Sequence, residues 1–106
     1  MGVKSEMVLQ HKEFLERLEK LTELTSELGK LGRFKPEGGE AKKNWDSLIK
    51  KRHELTGQLT EELTEISGAI GEKDITLLLS GADQLLEMIN HVQMDLRLWA
   101  DLNLIE

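Results

Sequence analysis

The stretch ITLLLSGADQLLEMINHVQMDLRLW, residues 75–99, decides the fold. Leu78, Ala82, Leu85, Ile89, Val92, Leu96 and Trp99 recur at intervals of three and four, the period of an α-helix. Leu79, Leu86 and Met94 add a second apolar strip beside the first. A helix that is apolar on more than one side is buried against more than one neighbour. Asp83 lies between the two leucines Leu79 and Leu85 in this run. An ionised carboxylate is costly to bury without a partner. Asp83 therefore either points to water or meets a positive group.

Working outward, GEKD (71–74) reads as a short connection, with Asp74 placed to cap a third helix over about 75–102. Before it, Leu48, Leu55, Leu59, Leu63, Ile66 and Ile70 line one face of a second helix, from about Ala41 or Asn44 to Ile70. RFKPEGGE (33–40) is a loop, because Pro36 disfavours helical geometry at Lys35 and Gly38 and Gly39 break regularity. A first helix spans about 4–31, with Met7, Phe14, Leu18, Leu21 and Leu28 in helical or heptad spacing. Leu15, Leu24 and Leu31 widen that stripe. The expectation is an all-α fold in one helical domain, 1–106, with three long antiparallel helices. Three helices barely enclose a two-sided third one, so a homodimer completing a four-helix or larger bundle is expected.

Composition narrows the function classes. Hydrophobic residues make up 39% and charged residues 32% of the 106, the profile of a helical soluble domain rather than a disordered chain. Cysteine is absent, which removes thiolate metal sites and a cysteine nucleophile and suits a cytoplasmic location. No apolar run approaches membrane-spanning length. The net charge of −6 argues against nucleic acid as the main ligand. That charge is uneven: residues 30–52 carry +5, leaving −11 on the rest. The basic window, with Lys50, Lys51 and Arg52 at its end, reads either as a solvated helix start or as a surface for anions or phosphates.

The acidic residues of the second and third helices carry the sharpest chemical possibility. Taking Leu59, Leu63, Ile66 and Ile70 as the core line, Glu62 falls about 70° and Glu65 about 130° from it on the same side, while Glu61 points away. Glu62 and Glu65 are i,i+3 neighbours that can share a ligand. On the third helix Ser80, Asp83 and Glu87 share a face. If the two helices pack antiparallel, Glu62, Glu65, Asp83 and Glu87 can converge on a hard cation, Mg²⁺ or Mn²⁺. The structural alternative is a set of solvated helix carboxylates. His11 reads as a helix-packing residue, His53 as an exposed one, and Met88 and Met94 as core packing.

LTEELTEISGAI (59–70) followed by LLSGADQLLEMINH (78–91) resembles the MazG-like all-α nucleoside triphosphate pyrophosphohydrolases. Their pattern is Glu-Glu-x-x-Glu, a spacer, then Glu-x-x-Asp on two packed helices. Glu61, Glu62 and Glu65 match the first part, and Asp83 closes the second. Pro36 to Gly39, Trp45 and Asp46 are also similar to upstream family elements. The resemblance covers roughly residues 18–95, and it departs from the pattern at Ser80, where the family has a carboxylate. It implies hydrolysis of a nucleoside triphosphate to monophosphate and pyrophosphate. Glu62, Glu65 and Asp83 would be Mg²⁺ ligands and catalytic residues, with Glu87 a substitute for the missing carboxylate. Lys50, Lys51 or Arg52 would contact the phosphates, and the chain would be dimeric. The heptad-like first helix and acidic surface support an alternative: a non-enzymatic helical dimerisation or protein-interaction module, such as an adaptor, chaperone or phage-type regulator.

Overall fold

The computed structural model describes residues 3–32 and 36–105, and the side chains of 6–32 and 36–102 among them. The protein is all-α: α1 (Val3–Leu31), α2 (Gly39–Ala69) and α3 (Ile75–Ile105), with no strand among the described residues. Arg33, Phe34 and Lys35 of the expected loop lie outside the described residues. No helix of the described residues is long and apolar enough to cross a membrane.

α2 starts earlier than its apolar pattern suggests. Gly38 is extended and Gly39 takes φ 70°, a left-handed conformation open to glycine, so the helix begins directly behind the turn. At the other end Gly71, with φ 101°, turns the chain toward α3. Its N–H donates to Gln10 Oε1 at 2.6 Å, so α1 clamps this turn.

Cross-helix partners set the topology. Arg52 meets Gln93 and Glu62 meets Gly81, so α2 and α3 run antiparallel. Arg17 meets Asp83 and Glu27 meets Arg97, so α1 runs parallel to α3. The result is an up-down-up bundle. Its core joins Leu55, Leu59, Leu63 and Ile66 of α2 to Ile75, Leu79, Ala82, Leu86, Ile89, Val92 and Leu96 of α3, with Leu24 and Leu31 from α1. Each fully buried aliphatic side chain in it stabilises by about 1.5–3 kcal/mol.

α3 is covered on two sides, as its two apolar strips require, but Met94 is exposed rather than part of the inner strip, and so is Met88. Both were expected in the core. They stand beyond the flank where either neighbour reaches α3. On α1 the fully buried positions are Leu24 and Leu31, whereas Met7 and Leu18 of the expected main stripe keep about 40% of their surface accessible. The cause is that α1 packs chiefly on α3 and scarcely touches α2. Phe14, Leu21 and Leu28 of the expected stripe pack half-buried against the core, and Leu24 and Leu31, which widen it, lie inside. His11 is exposed, its ring 6.4 Å from that of Phe14, not a packed helix-contact residue.

Candidate functional site

The carboxylates come first. Glu62, half-buried, reaches across to α3 at Gly81: a Cβ built there would lie 2.7 Å from Glu62 Oε1. Asp83 leaves α3 on another side. Two residues further along a helix is about 200° around it. Asp83 accordingly faces α1, where Arg17 Nη2 donates to its Oδ2 at 2.8 Å. Arg17 Nη1 meanwhile donates to the Glu13 carbonyl at 2.8 Å, which steadies the guanidinium.

The positive group that Asp83 invites is thus a residue of its own chain. Arg17 had a signal in the sequence: it stands three residues after Phe14 and four before Leu21, on the α1 stripe. Glu65 is exposed on α2. Glu87 is exposed on α3 and shares a cleft with Asp83, Asn90 and Lys20. Ser80 lines a larger cleft of about 690 Å³ between α1 and α3, together with Asp83, Arg17 and Lys73.

Glu62, Glu65 and Asp83 are therefore not gathered round one point. Among the described residues no group of three or more His, Asp or Glu is placed to hold a metal ion. A divalent cation at Asp83 would also sit beside a guanidinium, which repels it. Within one copy Asp83 is engaged by Arg17 of α1 while Glu62 faces α3 at Gly81.

Of the basic residues, Lys50 and Lys51 are exposed, but Arg52 is inside the core at 5% accessibility. Its Nε donates to Gln93 Oε1 at 2.9 Å, and Gln93 is 2% accessible. Arg52 Nη2 and Gln93 Nε2 have no partner. Burial pushes the Arg52 pKa down from its ordinary value. Arg52 stands four residues after Leu48 and seven before Leu59, in line with the apolar face, which marks it as inward-facing.

Compared with known protein families, curated proteins and solved structures, the chain matches none.

A different surface emerges where α1 and α2 fail to meet. Phe14, Leu18 and Leu21 of α1 and Thr60, Leu63, Thr64 and Ser67 of α2 line a groove of about 290 Å³. None of these residues is charged, in a chain with 32% charged residues. The two threonine hydroxyls are turned inward. Thr60 donates to the Thr56 carbonyl at 2.8 Å and Thr64 to the Thr60 carbonyl at 2.9 Å. Thr56 donates to the Arg52 carbonyl at 2.8 Å, and across the groove Thr25 donates to the Leu21 carbonyl at 2.9 Å. A threonine bonded back to its own helix has used its donor and offers its methyl group outward. The walls are thus more apolar than their composition suggests. The i,i+4 run Thr56, Thr60, Thr64 was the sequence signal for this face.

Proposed function

We propose that the chain is a non-enzymatic helical interaction module whose working surface is the open corner between α1 and α2. The observation that carries this is the charge-free groove with its inward-turned threonine hydroxyls. In a square bundle each helix touches two neighbours and faces the third across a diagonal. α3 packs on both α1 and α2, which scarcely touch each other, so those two are the diagonal pair. The corner opposite α3 is left for a fourth helix. An amphipathic helix laid there would bury its apolar face on Phe14, Leu18 and Leu63.

One observation favours a second reading, a divergent MazG-like pyrophosphohydrolase. Glu62 reaches α3 at Gly81, next to the Ser80 position of the resemblance. That activity would require Asp83 to leave Arg17 and approach α2.

The test is pyrophosphate release from a panel of nucleoside triphosphates with Mg²⁺ or Mn²⁺, on wild type, Glu62→Ala and Asp83→Ala. The module gives no release and no metal-dependent rise in melting temperature. Turnover that both substitutions abolish would overturn it in favour of the hydrolase.

A further inference from the structure

Resting on the open corner as the working surface, we infer that its occupant is a second copy of this chain. The two copies meet groove to groove about a two-fold axis, and α1 of each takes the fourth corner of the other.

Charge selects this face. Two chains of net charge −6 repel each other, and the repulsion is smallest where neither presents charge. By helical angle, the groove side of α2 from Ile49 to Ser67 carries no Asp, Glu, Lys or Arg, and neither does that of α1 from Met7 to Thr25. Such a face suits a copy of itself better than an oppositely charged partner.

Shape agrees. A two-fold interface must be self-complementary, with the same patch serving as ridge and groove. α1 supplies the ridge: Leu18, which lines the groove, is 40% accessible, and Leu15, one position beyond Phe14 on the same helix, is 47% accessible. An amphipathic helix edge with unburied leucines and a groove lacking a helix lie side by side on one molecule. Two-fold pairing satisfies both.

The area suffices. From first to last residue each of these helical spans extends about 27 Å, and two helices side by side are about 20 Å wide. That gives roughly 540 Å² per copy and about 1,100 Å² in all, just above the ~1,000 Å² of a specific interface. The contact is of the smaller kind, so its affinity is sensitive to a single buried charge.

Sedimentation equilibrium on the full chain tests this. Wild type is expected at twice the 12.1 kDa chain mass. Thr64→Glu and Leu18→Glu each weaken dimerisation at least tenfold, while Thr64→Val preserves it, because the hydroxyl already faces inward. Gln84→Glu, on an exposed position of α3, leaves it unchanged. Far-UV circular dichroism verifies that each variant remains helical. If Thr64→Glu alone unfolds the chain, Leu18→Glu carries the test. A wild type that stays monomeric at every concentration overturns the proposal. So does a dimer that both glutamate substitutions leave intact. Pyrophosphate release on the same samples tells the two failures apart. A monomer without turnover removes the second copy alone, and a monomer with turnover removes the module reading as well.

Discussion

Replacing Arg52 by Met and Gln93 by Leu, singly and together, should produce an inverted order of stabilities. Arg52 is buried with a neutral amide as its side-chain partner, and one polar atom on each residue goes unbonded. Taking a guanidinium out of water costs several kcal/mol even after relaxation. A hydrogen bond from a charged group returns only about 1.5–3 kcal/mol. The pair therefore costs the fold more than it contributes. Arg52→Met removes the charge but strands the Gln93 amide, a loss of about 1–3 kcal/mol. Gln93→Leu is worse, because it strands the charge itself, at about 3–5 kcal/mol. The double variant removes both demands and should equal wild type or exceed it by up to about 4 kcal/mol. Urea midpoints at fixed protein concentration measure the order, provided the slope is unchanged. The order should not depend on pH. Burial lowers the folded-state pKa of this base, so its penalty holds at every pH below that pKa and is relieved only as pH rises through it. Arginine stays charged over roughly pH 5–9, so the penalty is constant there. A Gln93→Leu variant at least as stable as Arg52→Met would refute the reasoning. So would a double variant that loses the sum of the two single costs.

Three further outcomes follow from particular contacts. Gly81→Ala should raise stability by about 0.5–1 kcal/mol, since a mid-helix glycine is entropically costly and the atom in its way is the flexible end of Glu62; a lowered melting temperature would mean that the Glu62 carboxylate is fixed in place. Asp83→Ala should cost only about 0.2–1 kcal/mol, because the Asp83 side chain of the pair is 56% accessible, and the loss should shrink in high salt; a salt-independent loss above ~2 kcal/mol would show a buried, structural pair. Leu59→Ala, at a fully buried position, should cost about 2–5 kcal/mol in urea denaturation, and a loss under ~1 kcal/mol would mean that the core collapses around the void.

The three helices were legible because apolar spacing depends only on the helical repeat. Leu55, Leu59, Leu63 and Ile66 were inward on that ground, and they are buried. What periodicity omits is which neighbour sits where. Met88 and Met94 count as apolar in any stripe, yet no helix covers them. Arg52 was grouped with Lys50 and Lys51 by charge, although its angle places it with Leu48 and Leu55. The directions of the carboxylates depend on the same placement. Glu62 and Asp83 each face a neighbouring helix, but not the same one, and only the placement of α1 distinguishes the two cases.

That placement has an electrostatic component beside the apolar packing. On its α3 side, α1 carries Arg17, which meets Asp83, and Glu27, which meets Arg97. The signs alternate, cation then anion on α1 against anion then cation on α3. Sliding α1 along α3 would bring like charges together, so the order of signs favours the observed alignment. Each pair is weak, being partly exposed, but both lie on the flank of α1 that faces α3. The opposite flank, with Phe14, Leu18 and Thr25, carries no charge and has no comparable tie to α2. The two ion pairs add to the apolar packing that holds α1 on α3, and the α1–α2 corner is left with few contacts. Asp83, the acid in an apolar run, thus acts across the bundle, where its pair with Arg17 helps to hold α1 on α3 beside an uncharged groove.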